Sequence, residues 1–397
     1  MQQLKLKIHG LAQQILPQII AYRRHLHQHP ELAFEEHETA AFVSGELTKL
    51  GVEHSVGIAK TGVVALIKGK NPDKKTFALR ADMDALPIKE INEVPYKSKY
   101  EGKMHACGHD AHTASLLGVA HILQALKNDF EGSVKLIFQP SEEKLPGGAS
   151  VMIAEGVLQN PEPQGIVGQH VMPFIDAGKV GFRSGQYMAS ADEITFFVRA
   201  KGGHAAMPHL TADAVLITAH IIVALQQIVS RVANPLTPSV LSFCTLKGGD
   251  AYNVLPAEVM VKGTFRTMDE PWRNKAHQTM KNMAEQIAQA MGATCEFVVE
   301  KGYPVLYNDE ILTSQAKNAA IAYLGEENVV ELDKWMAAED FAYYSQVTRA
   351  CFYRLGTRNA ARGIVSGVHT PTFDIEESAL EIGAGLMAFI ALDALQN

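Results

Sequence analysis

Apolar residues recur at helical spacing through Leu11, Ile15, Ile19 and Tyr22, and again across 35–50, so the chain is expected to open with two amphipathic helices, the first over 11–28. The period then shortens. Residues 63–68, 77–82 and 134–139 are short β-rich runs, with a helical stretch after Asp110 between the second and the third. Strands alternating with helices predict an α/β domain around a mostly parallel sheet, because parallel neighbours need long crossovers. Ligands of such sheets sit beyond the carboxyl ends of the strands. Polar residues gather at those ends here: 77–80 leads into Asp82-Met-Asp84, 134–139 into Pro140-Ser-Glu142-Glu143, and 166–169 into His170, which reads as the residue closing its strand.

From about Gly185 the pattern changes. Strand-like runs at 194–199, 240–246, 258–266 and 294–299 enclose long apolar-faced helices at 212–229 and 271–291. The order βαββαβ is that of a ferredoxin-like unit, one four-stranded sheet with two helices on one face. After Gly302 the α/β pattern returns, with strands at 329–332 and 351–355 and a final helix from Glu376. Residues 186–299 therefore read as a domain inserted into a discontinuous one, 1–185 plus 300–397. The two crossings, near 185 and 300, suit a hinge. No internal repeat or low-complexity run interrupts the chain.

With 397 residues, 47% of them apolar, the chain can bury large cores. A net charge of −7, spread along the sequence, leaves no basic patch for nucleic acid. The N-terminal stretch has no unbroken apolar run of signal-peptide or membrane-span length, so a cytoplasmic protein with no membrane partner is expected. Cys107, Cys244, Cys295 and Cys351 show no disulfide spacing, which suits a reducing compartment, and the last three read as core filler.

Chemistry concentrates in Met104-His-Ala-Cys-Gly-His-Asp-Ala-His-Thr113. Thiolate and imidazole are ligands for zinc and similar ions, and Cys107 and His109 are close enough to share one. Glu142 and Glu143 end an apolar strand, where two neighbouring carboxylates at a low-dielectric rim call for a cation. Acidic residues can also simply open a helix, but Pro146-Gly-Gly148 delays any helix start and leaves the pair in a loop. His170 and His369 lie at a strand end and in the loop Ser366-Gly-Val-His-Thr-Pro. Together Cys107, His109, Glu143, His170 and His369 would give five ligands, enough for two ions sharing a bridge. Asp84 reads either as a group orienting a ligand or as a helix cap. A cysteine hydrolase built on Cys107 is the competing reading, and it leaves the Glu pair, His170 and His369 without a task.

Five segments carry a resemblance: Glu31-Leu-Ala-Phe-Glu-Glu-His, Ala81-Asp-Met-Asp-Ala-Leu-Pro, the Cys-Gly-His-Asp-Ala-His block, Gln139-Pro-Ser-Glu-Glu, and Gly202-Gly-His-Ala-Ala-Met-Pro-His. They resemble the amidohydrolase branch of the dinuclear metallopeptidase and aminoacylase family. That branch holds hippurate hydrolases, N-acyl-amino-acid amidohydrolases, auxin-conjugate hydrolases and N-acetyldiaminopimelate deacetylases. The resemblance implies a catalytic α/β domain with a lid and dimerisation domain, and two divalent ions per subunit. Cys107, His109, Glu143, His170 and His369 would be the ligands and Glu142 the general base.

It further implies that His204, in the inserted domain, stabilises the oxyanion at the partner subunit's site in a homodimer formed through the lid. Asn253 and Arg266 look like the pair that holds substrate, and a guanidinium suits a free α-carboxylate. Two departures stand out. Wider relatives carry His-x-Asp where this chain has Asp82-Met-Asp84, which puts more of the coordination on the cysteine motif. Lys301-Gly-Tyr303-Pro stands where exopeptidase relatives carry an Arg before Pro.

The implied activity is hydrolysis of N-acyl-L-amino acids to a carboxylic acid and a free amino acid. A dipeptidase or carboxypeptidase would use the same metals, and a non-catalytic ligand-binding protein would not need Glu142. Ligand type favours zinc, with manganese, nickel or cobalt as alternatives.

Overall fold

A computed structural model describes residues 2–396 of the chain. They form two compact units. The larger runs up to Gln186, then takes in Tyr307–Lys334 and everything from Asp340 onward; the smaller comprises Tyr187–Leu306 and Trp335–Glu339. The chain thus passes between units four times where the sequence reading allowed for two, because the pentapeptide Trp335–Glu339 returns to the smaller unit.

The larger unit begins with α1 (Gln2–Gln28), α2 (His37–Lys49), β1 (Glu53–Ile58), β2 (Gly62–Lys68) and β3 (Thr76–Asp82). It continues with α3 (His109–Ala125), β4 (Ser133–Gln139), α4 (Gly148–Ala154), β5 (Ile166–Asp176) and β6 (Val180–Phe182). In the smaller unit follow β7 (Asp192–Arg199), α5 (Ala214–Leu225), β8 (Ser239–Lys247), β9 (Glu258–Thr267), α6 (Glu270–Ala290) and β10 (Thr294–Lys301). The larger unit resumes with α7 (Glu310–Leu324), β11 (Val329–Glu331), α8 (Ala342–Val347), β12 (Ala350–Arg358) and α9 (Ala379–Gln396).

The large sheet has the order β1-β2-β4-β3-β5-β12-β6-β11. Its centre, β4-β3-β5-β12, is wholly parallel, while β1/β2, β2/β4 and β12/β6 pair antiparallel. Both β3 and β4 are buried along their full length. Strands covered on both faces read as continuous apolar runs without alternation, which is why they were visible in the sequence. Ile8 and Ile19 of α1, Leu116 and Leu117 of α3 and Leu386 of α9 share one core with Leu79 and Leu136.

The differences from expectation are local. α1 starts at Gln2, carrying Leu4 and Ile8 into the core ahead of the expected start at 11. β1 was not expected, since its exposed edge position spares it an apolar face. His170 does not close its strand: β5 runs on to Asp176, so the imidazole projects from mid-strand. Cys351 is buried and Cys295 partly so, but Cys244 is exposed on β8 and fills no core.

The smaller unit is a four-stranded antiparallel sheet, β8-β9-β7-β10, with α5 and α6 packed on it. This is the strand order of a split βαβ unit. Ile217 and Ile221 of α5 and Met280 of α6 meet Phe196, Val198 and Val261. Two helical stretches are apolar enough by length and composition to cross a membrane, Ala379–Gln396 and Ala214–Val232. The first is a core helix, 72% buried; the second is only 28% buried.

Candidate metal centre

The parallel register levels the strand ends that carry the chemistry. Asp82 at the end of β3 stands opposite Gln139 at the end of β4, and Arg80 stands opposite Gly168, two residues before His170. The Cys107–His109 segment is then turned into the same larger unit by Gly108, the cap of α3, at φ 83°. Only glycine takes this position without strain, and a Cβ there would also meet Val171 Cγ2 at 2.5 Å. Helix α4 begins at Gly148, so Glu142 and Glu143 occupy a loop.

The five expected ligands and Glu142 lie together in this unit. The ligating atoms of Cys107, His109 and His170 are all within 4.8 Å of one another; so are those of Cys107, Glu143 and His369, and of His109, Glu142 and Glu143. Three triads sharing Cys107, His109 and Glu143 make one cluster. Cys107 Sγ is 3.3 Å from His170 Nε2, and His369 Nε2 is 3.1 Å from Glu143 Oε1.

The donors fit divalent ions on geometric grounds. His109 Nδ1 lies 2.9 Å from the Asp84 carbonyl and 3.1 Å from its carboxylate, which leaves the buried Nε2 with no hydrogen-bond partner. His170 repeats the arrangement, with Nδ1 2.7 Å from the Val171 carbonyl and Nε2 facing the thiol. Anchoring one ring nitrogen so that the other can ligate is how proteins orient metal-binding histidines. Hydrogen bonds to Cys107 and Glu143 push His369 up to about 10, the response of an imidazole facing two acidic groups. Burial, with Glu143 beside it, pushes the Cys107 thiol up. His109, His170, Glu143 and His369 all gather around this thiol, a set that a cysteine hydrolase would leave without a task.

Asp84 acts as an organiser of the cluster. Besides anchoring His109, its two carboxylate oxygens accept the Glu142 and Glu143 amide N–H groups at 3.0 and 2.9 Å. It caps no helix.

The hydrogen-bond network behind the ligands was not picked out in the sequence. Asp82 Oδ1 is 2.6 Å from His112 Nδ1 and Oδ2 is 2.6 Å from Arg80; Arg80 also reaches Asp340 at 2.7 Å, and Asp340 accepts from Gln139 and from the Ala149 amide. His112 Nε2 accepts the Val171 N–H at 2.8 Å. Both nitrogens of His112 are thus engaged, and burial holds its pKa down. The imidazole is thus placed to support the site through these hydrogen bonds. The available signal was two charges, Arg80 and Asp82, inside an otherwise apolar buried strand. A second support lies at the start of α3, where Asp110 meets Arg23 at 2.8 Å and His27 at 2.7 Å.

His204, Asn253 and Arg266 belong to the smaller unit. His204 pairs with Val254 in a two-residue ladder, the Ala205 amide bonds the Asn253 carbonyl, and both His204 and Asn253 side chains are exposed. Arg266 lies on β9, where its Nη1 donates to the Met336 carbonyl at 3.0 Å.

Comparison with known proteins agrees with this chemistry. Residues 78–393 match peptidase family M20/M25/M40. An N-acyl-L-amino acid amidohydrolase of Geobacillus stearothermophilus is 44% identical over 307 residues, 77% of this chain and 82% of the relative. Thermostable carboxypeptidase 2 of Saccharolobus solfataricus is 38% identical over 377 residues, 94% of each chain. Among solved structures, a dinuclear metal-binding peptidase of the M20 family from Bacillus subtilis superimposes with a TM-score of 0.84 at 34% identity, covering 97% of this chain and 99% of that one.

Proposed function

The chain belongs to peptidase family M20/M25/M40, and from that premise we propose that it cleaves the amide bond of N-acyl-L-amino acids, of the N-acetyl or hippurate type, at a two-metal centre. That it is a hydrolase acting on amides follows from its relatives. The observation that carries the finer reading is the carboxylate pair: Glu143 faces His369, while Glu142, 7% exposed, shares the third triad with His109.

Cys107, His109, Glu143, His170 and His369 would hold the two ions, which would supply water activation and polarisation of the scissile carbonyl, and the donor set favours zinc over manganese, nickel or cobalt. Glu142 takes the proton of the attacking water and returns it to the departing amine nitrogen. Asp84 keeps both Glu142 and His109 in place. Arg266 pairs with the α-carboxylate of the released amino acid and Asn253 with its neighbouring polar atoms. His204 donates a hydrogen bond to the developing oxyanion.

The smaller unit is read as a lid that also joins two copies. Val215, Leu216 and Val223 of α5 are 43%, 51% and 73% exposed, and β8, an edge strand of the same unit, exposes Val240 and Leu246. An exposed apolar helix face and an open strand edge are surfaces that two copies can pair across a two-fold axis, which supports reading a second copy of this chain as their occupant. The four cysteines are free thiols, in keeping with a cytoplasmic setting.

A carboxypeptidase remains the second reading because a relative of that name matches 94% of the chain. Chelation followed by metal add-back, with parallel kinetics on N-acyl amino acids and dipeptides, tests both. The expected result is chelator-sensitive, metal-restored turnover with N-acyl amino acids preferred. Full activity in chelator would contradict the two-metal reading; a preference for dipeptides would contradict the substrate class.

A further inference from the structure

We propose that Glu36 is a positioning residue for the catalytic base: its buried carboxylate holds the Ser141 amide and so fixes the turn from which Glu142 and Glu143 enter the metal centre. The inference rests on the reading of Glu142 as that base. Glu36 is fully buried, and although it stands at the N-cap of α2 its side chain makes no capping bond. It points elsewhere. Oε1 accepts the Ser141 N–H at 2.8 Å and the Phe34 N–H at 3.0 Å, and Oε2 accepts the Thr61 hydroxyl at 2.6 Å.

Ser141 is the residue before the Glu pair, and its φ is +51°. A non-glycine residue holds this left-handed conformation only where its surroundings over-determine it. Two other contacts help: the Ser141 carbonyl accepts the Gly148 N–H at 2.8 Å and Ser141 Oγ reaches the Lys144 carbonyl at 3.2 Å. With Asp84 taking the next two amides, three consecutive N–H groups end on two buried carboxylates. That arrangement leaves the loop one orientation. Were the Ser141 N–H released, φ would relax toward negative values and the 141–142 peptide would turn. The Glu142 carboxylate would then move away from its target. The alternative is that Glu36 merely ties the 34–36 turn to Thr61, which would affect stability and spare turnover.

Three variants separate these, measured beside Glu142→Gln for kcat, KM, bound metal and thermal midpoint. Glu36→Met keeps volume and removes the acceptor; Glu36→Asp keeps the carboxyl group but ends a methylene short. Both are expected to lose kcat by about 10- to 100-fold, with KM within roughly twofold of the parent and metal content retained. Glu36→Gln can present its amide oxygen to Ser141 and its amino group to Thr61, and is expected to recover kcat to within about fivefold of the parent. Parent-like kcat in the Met or the Asp variant, or a Gln variant as impaired as Met, overturns the inference; should Met not fold, Asp decides. If Glu142→Gln itself turns over normally, the reading of the base fails instead.

Discussion

The metal cluster and the His204–Asn253 ladder are built in opposite ways. In the cluster Cys107, His109, Glu142 and His170 are buried, and the Nδ1 atoms of His109 and His170 are tied to the backbone carbonyls of Asp84 and Val171. In the ladder His204 and Asn253 are exposed and held by backbone pairing, with His204 Nδ1 accepting the N–H of Ala206, two residues on, at 3.1 Å. One region is preorganised by its own chain. The other offers its groups outward, as a surface does that completes itself only on a substrate or a second copy. Preorganisation by buried partners is what makes electrostatic catalysis effective, so the first region should be sensitive to its supports and the second to assembly.

The largest effect should come from Asp84→Ala, which frees two loop amides and one ligand at once. Metal affinity falls about 10- to 100-fold, and misplacement of Glu142 adds up to about 10²-fold in kcat. Metal titration with steady-state kinetics measures both. If neither changes, the cluster is not organised from Asp84. His204→Ala should lose about 10²-fold in kcat with metal content unchanged. Mixing those subunits with Glu142→Gln subunits should restore activity, because a hybrid dimer has one centre with both groups. No recovery on mixing would mean that His204 does not serve a second copy.

The smallest effect concerns the frame of the smaller unit. Burial pushes the Asp192 carboxyl up, but hydrogen bonds from His277 and Arg273 outweigh it and hold it below the ordinary aspartate range. The stability it contributes is therefore fully present above the unfolded value, about 4, and lost as pH falls through the depressed folded value. Asp192→Asn should remove up to about 1.4 kcal/mol per pH unit from the acid slope of unfolding free energy. An unchanged slope would show that Asp192 titrates alike in both states.

The same contrast explains what could be read beforehand. The buried parallel strands announced themselves as apolar runs, with the Glu pair just beyond the end of β4, while the Cys-Gly-His block stood out by its own density of ligand types at the start of α3. The supporting roles of His112, Asp340 and Glu36 were not legible, even though His112 and Glu36 lie in segments that stood out, because a buried polar group is recognised by its partners, and those are distant in sequence: Asp340 serves Arg80, and Glu36 serves Ser141. His170 was misplaced at a strand end because the polar Gln169-His170 pair looks like a boundary, yet β5 continues beyond it.

The central claim is that Glu142 moves the proton in hydrolysis at a two-metal centre. Glu142→Gln, assayed on N-acyl amino acids with metal content determined on the same sample, tests it most directly. The expected result is two ions per subunit, as in the parent, with kcat reduced about 10²- to 10⁴-fold. Turnover near that of the parent, with the metals in place, would contradict it.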